Sequence, residues 1–309
     1  MSKIREFTFV SSNGQTKINV RRFDPEGAPR GVVQIAHGVA EYIDRYDEFM
    51  AFLAEKGFIA LGSDHLGHGK SINDSSELGW FAEQDGWDLL VSDMHKLHDI
   101  VFAEDPNLPY FLFGHSMGSF LTRTYLIKYP SDLTGAVICG TGQQDAALVG
   151  AGEAAAKLVC TLRGSKHRSK LLTGMAFGSY NKEFEPKRTN SDWLSRDTAN
   201  VDKYEADPLC GFMPTAGLFR DMMGGIKLIS DPANIAKMRK NLPVFFISGD
   251  KDPVGEDGKG PLKAAELFRQ AGMGDVSIKL YPDCRHELLN ELNKDEVMGD
   301  VLGWLEKYI

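Results

Sequence analysis

Apolar residues follow two periods along this chain. Short apolar runs, which are typical of buried strands, alternate with longer stretches in which apolar residues recur at helical spacing. The predicted strands of the first half are "REFTFV", "KINVRRF", "GVVQIAHG", "FIALGSD", "YFLFG" and "GAVICG", and the predicted helices between them include "YDEFMAFLAEKG" and "WDLLVSDMHKLHDIVFAED". Such alternation indicates βαβ units, so the sequence predicts an α/β fold with a mostly parallel central sheet and helices on both faces.

The alternation stops after Thr141 and resumes at "LPVFFISGD", which is followed by a helix, the strand "VSIKLY" and a closing helix. The stretch between contains helical pieces such as "AALVGAGEAAAKLV" and glycine-punctuated apolar segments, but no convincing strand. We therefore predict a core domain formed by residues 1–142 and 241–309, with residues 143–240 inserted as a helical cap.

A serine lies between a predicted strand and a predicted helix in "YFLFGHSMGSFLTRTYLIKYP". Apolar residues after the serine recur at helical spacing, which predicts an amphipathic helix that ends before Pro130. Glycines two residues to either side of Ser116 suit a tight strand-to-helix turn that exposes the hydroxyl. The helix N-terminus favours developing negative charge. We interpret Ser116 as a nucleophile; an ordinary glycine-flanked turn is the alternative.

A nucleophilic serine needs a base, and a base needs a group that orients it. Only His167 and His286 follow Ser116, and His286 comes directly after a predicted strand, where α/β folds place active sites. His286 is therefore the predicted general base. The predicted acid is Asp252, in "SGDKDPVG" after another strand, with Asp250 as the alternative.

Acyl transfer also requires backbone N–H groups that stabilise an oxyanion. The residue after the nucleophile, Met117, is expected to supply one of them. The loop "HGVAEY" follows the strand "GVVQIA" and is expected to supply the other. We assign this second donor to Val39, with Ala40 as the alternative.

Three stretches carry a resemblance to a known family. "HGVAEYIDRY", "SDHLGHGKS" and "GHSMGS" are similar to motifs of the α/β-hydrolase superfamily, in its monoacylglycerol lipase and lysophospholipase branch. The resemblance implies the α/β-hydrolase fold and a serine esterase mechanism without a cofactor or metal. Its Gly-x-x-Asp acid loop falls on Gly249 and Asp252, its histidine on His286, and its oxyanion donors on Val39 and Met117. Val39 departs from the alanine that is typical of the mammalian lipases.

The expected substrate is a monoacylglycerol or a similar single-chain lipid ester. A cleft roofed by "LLTGMAF" and "GFMPTAGLF" would bury a hydrocarbon tail, although these segments are equally suited to filling the interior of the cap. The cap string "DWLSRD…DPLCGF" resembles bacterial lysophospholipases. The alternatives are a lysophospholipase, a short-chain carboxylesterase, a catalytically silent binding protein, and an aminopeptidase whose amine anchor would be Glu183, Glu185 or Glu205.

Charge and composition exclude some classes of partner. A formal charge of −8 argues against a nucleic-acid groove. The basic cluster "LRGSKHRSK" is interpreted as a solvated loop, with transient contact of the cap with anionic lipid headgroups as the alternative. The N-terminal stretch lacks the apolar segment of a signal peptide, no apolar run reaches membrane-spanning length, and the four cysteines show no paired spacing. These features predict a cytoplasmic protein with reduced thiols.

Several histidines outside the predicted site lie close together in the sequence. His95 and His98 lie three residues apart on a helix, and without an evident third ligand they are interpreted as a solvated face. His65 and His68 in "DHLGHGKS" are expected to stabilise a turn. Cys284 is expected to be a buried, inert thiol.

Overall fold

A computed structural model describes residues 3–131 and 133–309 of the chain. Its single eight-stranded sheet has the order β1-β2-β4-β3-β5-β6-β7-β8. β1 and β2 form an antiparallel hairpin at one edge, β2 is antiparallel to β4, and the remaining strands are parallel to one another. The strands are β1 (Lys3–Val10), β2 (Lys17–Asp24), β3 (Gly31–Ala36), β4 (Phe58–Ser63), β5 (Tyr110–His115), β6 (Gly135–Cys139), β7 (Val244–Gly249) and β8 (Val276–Tyr281).

The helices divide into those that lie outside the connection between β6 and β7 and those that lie within it. The first group is α1 (Asp47–Glu55), α2 (Gly86–Glu104), α3 (Met117–Lys128), α9 (Lys259–Gln270) and α10 (Lys294–Leu305). The second group is α4 (Ala146–Arg163), α5 (Lys170–Phe177), α6 (Thr198–Ala206), α7 (Ala216–Ser230) and α8 (Pro232–Ile235). This arrangement confirms the predicted α/β fold, with a mostly parallel sheet and helices on both faces.

The sheet is buried on both faces, as the continuous apolar runs of its central strands predict. In β5, Leu112 joins the hydrophobic cluster shared with α2, α3 and α9, whereas Phe111 and Phe113 join the cluster shared with α1 and α10. Alternate residues of a strand point to opposite faces, so one short run serves two separate cores.

The helix α3 differs from its predicted amphipathic character. Every residue from Met117 to Ile127 is buried, including the polar residues Ser119, Thr122, Arg123 and Thr124. The prediction was wrong because α7, which is distant in the sequence, packs on the side of α3 that the pattern assigned to solvent. A helix that is covered on all sides needs no polar face.

The inserted segment, residues 143–240, contributes no strand to the sheet within the part of the chain that the structure describes. Leu218, Phe219, Met222 and Ile226 of α7 belong to the same hydrophobic cluster as the sheet residues Val32 and Leu112. The segment therefore shares much of its core with the sheet. Its designation as a cap, with boundaries at 142/143 and 240/241, stays a prediction. Among the described helices, none combines the length and apolar character needed to cross a bilayer.

Candidate active site

Ser116 lies at the strained turn between β5 and α3. Its backbone has φ +53° and ψ −120°, a conformation that side-chain-bearing residues rarely adopt. The turn is fixed by the Ser116 amide, which donates to the Cys139 carbonyl at 3.0 Å. A Cβ atom on Gly118 would overlap the carbonyl of Ala36, and one on Gly114 would overlap the carbonyl of Gly118. The two glycines therefore permit the close approach that the sequence pattern predicted.

The structure brings His286 and Asp252 together after the ends of β8 and β7. His286 Nδ1 lies 2.9 Å from Asp252 Oδ2, and both side chains are buried. The other carboxylate oxygen of Asp252 accepts the Val254 amide at 2.9 Å, which fixes the orientation of the carboxylate. The alternative acid, Asp250, instead accepts the amide of Asp283 at 2.8 Å. Asp252, and not Asp250, is therefore the carboxylate that contacts the imidazole of His286.

Ser116 and His286 line the same cavity, together with Met117 and Val39. Among the hydrogen bonds of residues 3–131 and 133–309, there is none between Ser116 Oγ and His286 Nε2. Catalytic hydrogen bonds are often long in unliganded enzymes and shorten when substrate binds. The predicted nucleophile and the predicted base therefore line one cavity without a direct hydrogen bond between them.

The predicted oxyanion donors lie on two elements that meet at the cavity. Met117 is the first residue of α3, and a helix leaves the amide at this position without an intrahelical partner. Val39 is on the loop after β3, where the next residue, Ala40, has φ +56°. The Ala40 carbonyl accepts the Gly211 amide at 3.0 Å and the Tyr204 hydroxyl at 3.1 Å. Two residues of the inserted segment thus fix the backbone beside Val39.

A buried network of charged groups underlies the site. Glu41 accepts hydrogen bonds from Arg45 Nη1 at 2.7 Å, from the Tyr46 hydroxyl at 2.8 Å and from His115 Nδ1 at 3.1 Å. Arg45 also forms a bidentate pair with Glu287, at 2.6 and 2.7 Å. The network therefore connects the oxyanion loop, the serine elbow and the loop that carries His286, and all five side chains are essentially enclosed.

The network shifts the pKa values of its members in defined directions. Burial alone would raise the pKa of Glu41, but the hydrogen bond from His115 and the charge of Arg45 outweigh it and hold this pKa well below its usual value. Burial would likewise lower the pKa of His115, but Glu41 raises it overall. His115 Nε2 lies 3.3 Å from the His286 carbonyl oxygen, and Nδ1 lies 3.1 Å from Glu41 and 3.0 Å from the Tyr46 hydroxyl.

The cavity beside Ser116 has a volume of about 570 Å³, within the range of small-ligand sites. Both apolar segments that were expected to form its roof line it. Much of the lining is apolar and comes from α4, α5 and α7: Leu148, Val149, Leu172, Met175, Phe177, Phe219, Met222, Met223 and Ile226. Leu172 and Phe219 are also buried within the hydrophobic core, so the same segments both line the cavity and fill the interior.

The sequence analysis gave no role to Glu41, Arg45, Glu287 or Trp193. The first two lie four residues apart in the motif "HGVAEYIDRY", a spacing that signals an ion pair. Trp193 lies in the quoted cap string, and its ring centroid is 5.1 Å from that of His286. No sequence signal connects Trp193 or the Glu41–Arg45 pair to the loop of His286, because these contacts join distant parts of the chain.

The remaining histidines lie outside the cavity lining. His98 is buried against Tyr110, so the predicted solvated face is wrong for this residue. Asp99 supplies a third group that was not evident from the sequence, since its carboxylate and the two imidazoles bring ligand atoms within 4.8 Å of one another. His65 and His68 are buried beside the oxyanion loop. All four cysteines are free, and Cys284 is buried as expected.

These features define a hydrolase of the α/β-hydrolase class. The chain belongs to the family described as serine aminopeptidase, S33, whose model matches residues 27–293. Membership confirms the superfamily resemblance, and the relatives described next confirm its monoacylglycerol lipase-like branch.

Curated relatives and a solved structure match the chain over nearly its whole length. A monoacylglycerol lipase of Mycolicibacterium smegmatis is 28% identical, with 98% of each chain covered. A monoglyceride lipase of Mus musculus is 28% identical over 97% of this chain and 90% of its own. The structure of a thermostable carboxyl esterase from Bacillus coagulans, solved in complex with glycerol, superposes with a TM-score of 0.92 at 29% identity, covering 100% of this chain and 99% of that one.

Proposed function

We propose that the chain is a serine hydrolase that cleaves carboxylic esters through an acyl-enzyme. Ser116 attacks the carbonyl carbon while His286 accepts its proton, and Asp252 orients the imidazole. The amides of Val39 and Met117 stabilise the oxyanion. His286 then protonates the leaving alcohol, and water hydrolyses the acyl-enzyme by the same route in reverse. This reaction requires no cofactor or metal.

One observation carries the proposal. His286, whose Nδ1 lies 2.9 Å from the buried Asp252 carboxylate, lines the same cavity as Ser116. Ser116, Asp252 and His286 each follow the carboxyl end of a parallel strand, where α/β folds place their active sites, and this supports the proposal. The hydrolase family and the esterases among its relatives support the same reaction.

We further propose that the substrate is a monoacylglycerol or a similar single-chain lipid ester. The apolar lining from α4, α5 and α7 suits a hydrocarbon chain, and the inserted segment acts as the cap that encloses it. The names of the relatives, including monoacylglycerol and monoglyceride lipases, support this substrate class. Tyr180, Asn190 and Ser191 also line the cavity, and their polar groups suit a small alcohol group such as glycerol.

The dependence of activity on acyl length tests the substrate class. Each buried methylene contributes about 0.8 kcal/mol, so kcat/KM is expected to rise about fourfold per methylene until the cavity is filled. Monoacylglycerols and p-nitrophenyl esters of two to sixteen carbons provide the series, with lysophospholipids and an aminoacyl anilide measured in parallel. A maximum at two to four carbons would contradict the lipid substrate and favour a short-chain esterase, and preference for the lysophospholipid would favour that alternative.

Two glycines of α4 provide a matched pair of variants for this test. Gly152 lines the cavity, whereas a Cβ on Gly150 would meet no atom within 4 Å. Gly152→Leu is expected to lower kcat/KM more for long esters than for short ones, because the added side chain occupies the acyl site. Gly150→Leu adds the same side chain to the same helix and is expected to leave the length profile unchanged.

The aminopeptidase alternative lacks its expected anchor. Glu183, Glu185 and Glu205 are not among the residues that line the cavity. Of the glutamates that do line it, Glu41 and Glu287 are both paired with Arg45, and Glu256 lies 3.4 Å from Lys263. A fluorophosphonate probe tests the alternative of a catalytically silent binding protein. Absence of an adduct at Ser116 in the folded protein would favour that alternative.

We also propose that the cap contacts membrane surfaces transiently. Leu148 and Met175 line the cavity and are more than half exposed, so they lie at its opening. Leu158, Leu162 and Leu171 of the same helices are also exposed, at 60%, 70% and 67%. The exposed residues Lys157, Arg163, Lys166 and Lys170 lie on the same two helices or between them. Apolar side chains with a basic fringe suit an anionic lipid surface.

Sedimentation with phosphatidylserine-containing vesicles tests this contact. Leu158→Glu combined with Leu162→Glu is expected to weaken vesicle binding about tenfold or more, because two apolar side chains are lost from the surface and two negative charges are added. Leu262→Glu changes an exposed leucine of α9 and serves as the control. Equal vesicle binding by both variants would contradict the proposed contact.

A further inference from the structure

A short part of the inserted segment is bound to the loop that carries His286. We call residues 192–196 the strap and residues 284–291 the base loop. The Glu287 amide donates to the Leu194 carbonyl at 2.7 Å, and the His286 amide lies 3.5 Å from the Trp193 carbonyl. The Ser195 hydroxyl donates to the Asn290 carbonyl at 2.7 Å. The backbone of His286 is therefore held by a segment about ninety residues away in the sequence.

An ion pair closes one end of this contact. Arg196 Nε donates to Glu291 Oε2 at 2.8 Å, and the Arg196 amide donates to Glu291 Oε1 at 3.1 Å. The same carboxylate accepts the Arg285 amide at 2.8 Å, and its side chain is fully buried. Arg196 Nη2 also donates to Asn293 at 2.9 Å. Because the carboxylate is enclosed, loss of its arginine would leave a buried charge without its cation.

Trp193 connects the strap to the imidazole itself. Its ring centroid lies 5.1 Å from that of His286, at an interplanar angle of 37°. The His115 ring is 4.7 Å from the same imidazole. With the Asp252 contact at Nδ1, these neighbours leave His286 little freedom to rotate. An aromatic face can also stabilise the positive charge that the imidazole acquires when it accepts a proton.

We propose that the strap, through Trp193 and Arg196, positions His286 for proton transfer during catalysis. This inference rests on the proposed function, in which His286 is the general base. Trp193 sets the plane of the imidazole, and Arg196 fixes the base loop through Glu291. The inserted segment then has two functions, since α4 and α5 enclose the acyl chain and the strap supports the base. The strap cannot separate from the sheet domain without displacing His286.

Steady-state kinetics on a short ester, p-nitrophenyl butyrate, separates positioning from binding. Trp193→Leu is expected to lower kcat about 10- to 100-fold, since misplacing a base by about 1 Å has an effect of that order. KM should change less than threefold. Trp193→Phe keeps an aromatic face and should retain kcat within about threefold. A purely structural role would not produce this split or this rescue.

Two substitutions of Arg196 test the same role, and a control variant at Arg188 distinguishes it from a folding defect. Arg196→Gln is expected to lower kcat about tenfold, whereas Arg196→Lys, which keeps a cation beside Glu291, should recover most of it. Arg188→Gln is the control, because Arg188 lies in the same segment and pairs with Asp202, away from the base loop. It should leave kcat unchanged. Urea midpoints of all variants identify any that fail to fold.

The His286→Ala background distinguishes failure of this inference from failure of the proposed function. If Trp193 acts through His286, adding Trp193→Leu to His286→Ala should change the residual kcat less than twofold. Wild-type kcat in both Trp193→Leu and Arg196→Gln, with His286→Ala inactive, would overturn the positioning role alone. Near-wild-type activity of His286→Ala would overturn the proposed mechanism itself.

Discussion

Replacing Ser116 with alanine is expected to lower kcat for ester hydrolysis by about five to six orders of magnitude. In the proposed mechanism Ser116 Oγ forms the acyl-enzyme, so without it only direct attack by water remains. The oxyanion donors and the cavity persist, which is why some rate above the uncatalysed reaction should survive. The measurement is kcat for a monoacylglycerol and for p-nitrophenyl butyrate, with protein concentrations high enough to detect the residual rate.

The matched control is Ser179→Ala, which removes another serine hydroxyl from the lining of the same cavity. Its kcat should stay within a few-fold of wild type. Fluorophosphonate labelling gives a second, independent readout, since the adduct should disappear in Ser116→Ala and persist in Ser179→Ala. A Ser116→Ala protein that keeps more than a tenth of the wild-type kcat would remove this residue from the mechanism.

The elements of the sheet were predictable because their signals are local. β5 reads as a continuous apolar run, and Ser116 follows it between two glycines that the turn requires. Asp252 and His286 were assigned because each comes directly after a strand of a parallel sheet, and such strand ends meet at one edge. The 2.9 Å contact between their side chains follows from that topology.

Contacts between distant segments were not predictable in the same way. The character of α3 depends on α7, which begins nearly a hundred residues after α3 begins and covers the face that looked solvent-exposed. The four-residue spacing of Glu41 and Arg45 signals only a local ion pair, whereas the second partner of Arg45, Glu287, comes from the loop after β8. Burial decides the function of such residues, and burial is set by tertiary packing.

Three buried histidines beside the oxyanion loop lead to the second large prediction. His37 Nδ1 donates to the Gly38 carbonyl at 2.7 Å, and its Nε2 accepts the His65 amide at 3.0 Å, so His37 must be neutral. His68 Nδ1 lies 3.1 Å from the Leu66 carbonyl, and the Nε2 atoms of His65 and His68 are buried without a partner. The three rings lie 4.2 to 6.5 Å apart, so protonation would place like charges together.

Burial lowers the pKa of all three histidines, that of His68 to about 3. Below about pH 6.5 the unfolded chain binds protons at these positions that the folded protein does not, so stability must fall as the pH falls. His115 has the opposite shift, but its contribution is complete once the pH is well below 6.5 and does not change the slope there. Lowered pKa values of Glu41 and Glu287 add a further loss only nearer pH 4.5.

The free energy of unfolding is therefore expected to fall as the pH falls below 6.5, by about 1.4 kcal/mol per pH unit for each imidazole that stays neutral in the folded protein. Against a typical net stability of about 5–15 kcal/mol, this slope predicts unfolding in mild acid. His68→Phe, whose ring would lie between Phe81 and Phe212, should reduce the slope by about 1.4 kcal/mol per pH unit. Urea unfolding from pH 7 to 4.5 measures it, with the exposed His167→Gln as control; an unchanged slope in His68→Phe would show that burial of this imidazole does not cause the acid sensitivity.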